Sequence, residues 1–176
     1  MRELCDSLAA GILKICEANN TKIACAESLT GGLLADAFVR IPGASNVLLG
    51  SAVTYDINAK LDPARGQGPI GSRRCRTPRS RPADGRRYRS PIQPAGIRRP
   101  NHRPFHTGVA GPGPDGDKPA GLVYVGLRIP ASLTPDHAEV LKAVELHLDG
   151  MREEIRRLTV FHVLQNLSLF TASFKE

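Results

Sequence analysis

The chain has 176 residues, 41% of them hydrophobic, which suits one domain with a buried core. Its formal net charge of +7 raises nucleic-acid binding as a function class, but the charge is unevenly spread. No apolar run is long enough to span a membrane, and the amino-terminal residues Met1-Arg2-Glu3-Leu4-Cys5-Asp6 lack a secretory hydrophobic region.

Apolar side chains at helical spacing, Leu4, Leu8, Ile12, Ile15 and Cys16, predict a helix over residues 3–18 that stops at Asn19-Asn20. Residues 22–26 read as a buried strand. A helical pattern covers residues 31–40 and ends at Pro42-Gly43. Residues 47–55 predict a strand ending at Tyr55, and residues 121–129 predict another. Residues 142–148 alternate, with Val144, Leu146 and Leu148 on one face. Residues 151–169 form an amphipathic helix through Ile155, Leu158, His162 and Leu167. Intermixed strands and helices predict an α/β class, a single-domain α/β/α sandwich with a mixed sheet over residues 1–170 and a short tail at 171–176.

Residues 63–106 break this pattern. They hold 12 of the 24 Lys and Arg with a single acid, Asp84, and 8 of the 14 prolines. The block therefore carries +11 and the rest of the chain −4. Such sequence buries too little apolar area to offset its ordering entropy. It is open to three readings: a disordered insertion, a nucleic-acid arm, or a segment in the wrong reading frame. Aromatic residues are sparse in it, only Tyr88 and Phe105, so nucleic acid is not an expected partner.

Four cysteines, Cys5, Cys16, Cys25 and Cys75, lack metal-ligand spacing. Cys5, Cys16 and Cys25 lie in apolar patterns, so reduced core thiols, a cytoplasmic protein and no metal are expected. No Gly-rich nucleotide-cofactor pattern is present either, and no cofactor is expected.

Two motifs carry the chemistry. Ala26-Glu27-Ser28-Leu29-Thr30-Gly31-Gly32 follows a strand and opens a helix. A serine at such a turn can point its hydroxyl into a cleft, with the N–H groups of Thr30, Gly31 and Gly32 facing an anion or a developing oxyanion. Far downstream, Thr107-Gly108-Val109-Ala110-Gly111-Pro112 is a Gly/Pro loop whose backbone can approach a ligand closely. Either motif alone reads equally well as a helix cap or a surface turn.

Together they resemble the CinA carboxy-terminal domain family, the nicotinamide-nucleotide amidohydrolases. The resemblance continues through Ile41-Pro42-Gly43-Ala44-Ser45, Val53-Thr54-Tyr55 with Ala59-Lys60, Lys118-Pro119 with Gly121, and Gly150 with Arg152. Met151 stands where that family usually carries Asp. The match runs from about residue 2 to about residue 167, with the block 63–106 as the exception.

The resemblance implies hydrolysis of the carboxamide of nicotinamide mononucleotide to nicotinate mononucleotide and ammonia. It implies Ser28 as nucleophile and Lys60 as its general base, with Ser45 and Tyr55 as hydrogen-bonding relays. Thr107 and the Gly108–Gly111 backbone would line the pocket, and Arg152 would hold the substrate phosphate. Glu27 fits structural hydrogen bonding as well as substrate contact, Tyr55 a packed aromatic as well as a relay, and Arg152 a surface ion pair as well as a phosphate ligand. The expected partners are a small-molecule nucleotide and further copies of the chain. The competing reading is a non-catalytic or degenerate interaction module, since family members are linked by name to competence and DNA damage.

The family also bears on the block. Take the last two bases of each codon with the first base of the next. Arg65-Gly66 then permit Gly-Val, Arg74 to Arg76 permit Gly-Ala-Val, Asp84 to Arg87 permit Met-Ala-x-Gly, and Arg98 to Pro100 permit Ala-Asp-Leu. The family carries these words at these spacings, which favours a compensated frameshift. On that reading the written block is irregular and exposed, and one helix and the central strand entering Thr107 are absent. Ser28, Lys60, Ser45 and Tyr55 are expected to converge in one pocket.

Overall fold

A computed structural model describes residues 1–55, 105–134 and 136–172. Helix α1, Arg2–Ala18, buries Cys5, Ala9, Ile12, Leu13 and Cys16, one face of a 3.6-residue repeat. Leu4, counted in that stripe from the sequence, is exposed, and Cys5 leads the buried face instead. The helix stops where predicted: Asn20 takes a left-handed φ of 49°, which Asn tolerates and a helix cannot continue through.

Strand β1, Ile23–Glu27, alternates fully and partly buried residues. After Gly32, whose φ of 103° few other residues adopt, helix α2, Leu33–Val39, buries Leu34, Ala37 and Phe38. Leu34 and Phe38 are enclosed completely, and removing each from water contributes roughly 2–3 kcal/mol. A single 3-10 turn, Ala44–Asn46, leads into β2, Leu48–Val53. Then come β3, Phe105–Gly108, β4, Leu122–Ile129, β5, Val140–His147, and helix α3, Arg152–Ala172.

The sheet order is β2-β1-β3-β4-β5. β1 is parallel to β2 and to β3, while β4 is antiparallel to β3 and β5. Four strands therefore run one way and β4 the other, the mixed sheet expected of the α/β class. The three helices pack on one another, and α2 and α3 also reach the sheet. Between them lies one core, joining Ile12, Ile23, Phe38, Leu127, Ile129, Ile155 and Leu164. Along β4 the odd positions Val123, Val125, Leu127 and Ile129 turn into that core while Tyr124 turns away. On β5, Val144 and Leu146 share a half-buried face as expected, with Leu148 just beyond the strand. Among the described residues no helix is long and apolar enough to cross a membrane.

One expectation is corrected. The sequence predicts a sheet without a strand entering Thr107, yet β3 occupies its centre. It pairs with β4 through four residues, Phe105 to Gly108, and with β1 through Ala26 and Phe105. The partner explains this. β4 is held along its whole length by β5 and offers a free edge to backbone groups. β3 itself, Phe105–Gly108, contains no proline and so keeps its ladder donors. Phe105 and His106 thus belong to the sheet and not to an irregular block. The expectations for residues 63–104, including the missing helix, lie outside the described residues.

Candidate active site

The strand order places a crevice. From β1 the chain moves to β2 on one side and then to β3 on the other, so the carboxyl ends of β1 and β3 flank a topological switch point. Ser28 follows β1 there, Thr54 and Tyr55 follow β2, Gly108 ends β3, and Arg152 opens α3 after β5. The parallel register of β1, β2 and β3 brings residues far apart in sequence to one edge.

Ser28 is only 6% exposed, and its hydroxyl has no hydrogen bond among the described residues. The turn that carries it is tightly held. Glu27, 1% exposed, turns its carboxylate into the turn and the start of α2. Its Oε2 accepts from Thr30 Oγ1 at 2.7 Å, Gly32 N at 2.8 Å and Leu34 N at 3.1 Å. Its Oε1 accepts from Ala35 N at 2.9 Å and Ser51 Oγ at 2.7 Å. Burial pushes the Glu27 carboxyl up, but the hydrogen bonds from Thr30, Ser51, Ala35 and Leu34 outweigh it and hold the group below the usual carboxylate range. Of the two readings left open for Glu27, the structure shows structural hydrogen bonding.

This changes the role of the glycines. Gly32 N–H points at Glu27 and Gly31 N–H at the Ser28 carbonyl, so neither is free for an oxyanion. The protein's own carboxylate fills the anion position at the start of α2. Gly31, at φ 59°, and Gly32 serve the left-handed turn that lets this happen. Gly108 likewise answers to packing, since a Cβ there would meet the Leu122 carbonyl at 2.5 Å.

At the same sheet edge, Arg152 donates to the Gly111 carbonyl and, at 2.5 Å, to the Tyr55 hydroxyl. It thereby ties the end of β2, the β3–β4 loop and the start of α3 together. Tyr55 is 59% exposed and not a packed core aromatic. One helical turn later, Arg156 donates from Nε to the Leu29 carbonyl at 3.0 Å and from Nη2 to the Thr30 carbonyl at 2.9 Å. Sequence reasoning missed Arg156 and Ser51. The only available signal was the four-residue spacing from Arg152, which puts Arg156 on the same helix face.

Ser45 does not join the group. It lies in the exposed turn before β2, and Leu48 at the start of β2 registers with Ile23 at the start of β1. Ser28 follows the far end of β1, about 16 Å along the strand at 3.3 Å per residue. Within one chain, therefore, Ser45 is at the wrong end of the sheet to act as a relay for Ser28. Thr107 is paired with Tyr124 in β3 and reaches the correct edge through its backbone. Lys60 lies outside the described residues. The thiols are not rival nucleophiles at this edge, because burial pushes Cys25 and Cys16 each up to about 12.

The fold defines an α/β domain with a buried serine at its switch point, without a hydrogen-bond partner among the described residues. The CinA C-terminal domain model matches residues 5–63 and 106–170, and the chain belongs to that family. The match leaves residues 64–105 unaligned, so the break seen in the composition recurs in the alignment. A competence-damage inducible protein of Clostridium novyi is 35% identical over 155 residues, covering 84% of this chain and 33% of its own length. A protein of the same description from Acetivibrio thermocellus is 32% identical over 163 residues, covering 89% of this chain and 35% of its own. The chain thus spans about a third of the curated relatives it matches. Among solved structures, the competence/damage inducible protein CihA of Agrobacterium tumefaciens superposes with a TM-score of 0.68 at 26% identity, covering 95% of each chain. A competence damage-inducible protein A from Klebsiella pneumoniae has the same fold, with a TM-score of 0.66 at 19% identity.

Proposed function

We propose that this chain is an amidohydrolase that releases ammonia from the carboxamide of nicotinamide mononucleotide. The observation that carries the reading is Ser28: a buried hydroxyl without a hydrogen-bond partner among the described residues, on a rigid turn beside the switch point. A structural serine at that depth is normally satisfied. One left unpaired where ligands enter α/β sheets is suited to attack a bound carbonyl.

The reaction is written as two displacements. Ser28 Oγ attacks the carboxamide carbon as its proton passes to the Lys60 amine. The tetrahedral intermediate then collapses, the C–N bond breaks, and the proton leaves with ammonia. Water hydrolyses the resulting ester, giving nicotinate mononucleotide and restoring Ser28. Tyr55 and Arg152, joined at the same edge, would bind the phosphate end. Their contact is supple enough for this: both groups are exposed, so a phosphate can take over donors that now meet a hydroxyl and a carbonyl.

The test is ammonia release from nicotinamide mononucleotide by the purified chain and by Ser28→Ala and Lys60→Ala. Turnover lost in both variants with unchanged circular dichroism supports the serine–lysine reaction. Full activity in Lys60→Ala removes lysine as the base. Absence of turnover in the parent chain favours the interaction-module reading.

A further inference from the structure

Nothing above gives Arg156 a function, yet among the described residues it is the α3 side chain that grips the serine turn. Its planar guanidinium uses one edge, Nε and Nη2, for the carbonyls of two successive residues, Leu29 and Thr30. Its remaining nitrogen, Nη1, donates to Glu153 at 2.8 Å, which fixes the fork in place. The guanidinium also lies over Gly31, where a Cβ would come within 3.5 Å of Nη2. The side chain is half-buried, so these bonds are partly shielded from water.

Among the described residues the Leu29 carbonyl has no backbone partner, and the Thr30 carbonyl also accepts from Leu33 N at 3.3 Å. The Ser28 carbonyl accepts from Gly31 N at 3.1 Å, and Gly31 N belongs to the same peptide plane as the Thr30 carbonyl that Arg156 holds. Arg156 therefore acts on Ser28 through the plane that fixes the Ser28 carbonyl. We propose that Arg156 is a positioning residue for Ser28, clamping the carbonyl side of its turn from α3 so that the hydroxyl keeps one orientation in the crevice. The inference rests on Ser28 being a reactive serine, but not on which amide it attacks.

The bidentate geometry also makes a distinction between side chains. A lysine ammonium can reach one carbonyl as a point charge but cannot hold both in one plane. The clamp is therefore specific for a guanidinium, and a free guanidinium ion is small enough to replace it.

The experiment measures two rates in the full chain. One is labelling of Ser28 by a fluorophosphonate probe, which forms an Oγ–P bond and expels fluoride. The other is ammonia release from nicotinamide mononucleotide. In Arg156→Ala, both labelling and kcat should fall about a hundredfold, the cost of roughly 1 Å of misplacement, while KM moves less than about threefold. Arg156→Lys should recover little. Millimolar guanidinium chloride should restore part of the rate to Arg156→Ala and none to Ser28→Ala. Circular dichroism and melting of both Arg156 variants should remain those of a folded chain.

Labelling at the parent rate in folded Arg156→Ala overturns the proposal, as does a loss that guanidinium cannot rescue. Unfolding of both variants assigns Arg156 to the fold and overturns it too. If the parent chain labels at Ser28, and Arg156→Ala labels slowly, but no ammonia appears, the positioning role stands and the substrate reading fails. If ammonia is released and labelling is indifferent to Arg156, the positioning role alone fails.

Discussion

Glu27 and Arg156 hold the same turn from opposite sides. Glu27 accepts hydrogen bonds from the N–H groups of Gly32, Leu34 and Ala35, while Arg156 donates to the carbonyls of Leu29 and Thr30. An acid adjacent to Ser28 and a base more than a hundred residues away thus divide the backbone groups of one short loop by polarity. Ser28 is left with its neighbours fixed and its own hydroxyl without a partner among the described residues. Rigid support around an uncommitted nucleophile is the condition under which positioning aids catalysis.

Glu27→Gln should be costly. The amide replaces one acceptor with a donor that faces backbone N–H groups already seeking an acceptor, and the loss is about 3 kcal/mol. For a chain of this size that is a drop of roughly 10 °C in melting temperature. The pH dependence follows from the lowered value of the Glu27 carboxyl. A depressed carboxylate contributes stability that is fully present above its unfolded value, about 4.3, and is lost as pH falls through the folded value below it. The parent chain should therefore lose stability steeply below about pH 4.3, and Glu27→Gln should show a flatter acid limb. Equal acid slopes in the two proteins would show that Glu27 does not carry the effect.

Gly121→Ala should not fold well. Gly121 has φ 86°, and a Cβ there would sit 1.8 Å from the Leu148 carbonyl oxygen, a backbone atom that cannot rotate away. Leu148 N also donates to the Gly121 carbonyl at 2.9 Å, while Gly121 N donates to the Val109 carbonyl at 2.7 Å. The substitution should cost about 3 kcal/mol or more and lower the soluble yield. Melting within a degree or two of the parent would contradict the packing described.

Arg152 gives a prediction about substrate recognition. Arg152→Ala should raise KM for nicotinamide mononucleotide about tenfold and leave kcat within a few fold, because a ground-state phosphate contact is lost. Nicotinamide riboside, which has no phosphate, should be insensitive to the change. Equal losses for the two compounds would point to Tyr55 and Gly111, which Arg152 also holds, as the reason for its presence.

Much of the fold could be read from local pattern. The helical spacing over residues 3–18, the alternation along residues 142–148 and the glycines after Ser28 each reflect a preference that packing reinforced. β3 could not be read this way. Its four residues have no pattern long enough to recognise, and the strand exists because β4 presents an edge to it. The site was legible as a set of motifs but not as a geometry. Tyr55, Gly111 and Arg152 meet, and Ser28 reaches the same sheet edge, because β1, β2 and β3 are parallel, whereas Ser45, in an equally good motif, sits at the opposite end of the same strands. Arg156 was invisible because its partners lie 126 and 127 residues away.

The Arg- and Pro-rich block supplies a further test. A gene with the reading frame restored across codons 63–106 should yield clearly higher amidase activity than the chain as written, because the restored text supplies a helix-forming segment before β3. The comparison uses matched preparations and one assay. Equal specific activities would contradict a structural cost of the written block.

The central claim is that Ser28 is a nucleophile toward a nicotinamide nucleotide. The most direct measurement is intact-mass spectrometry of the chain quenched during turnover of nicotinamide mononucleotide, with ammonia followed in parallel and Ser28→Ala as control. The account predicts a covalent nicotinoyl-nucleotide adduct that maps to Ser28, together with ammonia release that is lost in the variant. Steady ammonia release from Ser28→Ala at the parent rate, or an adduct on any other residue, would contradict it.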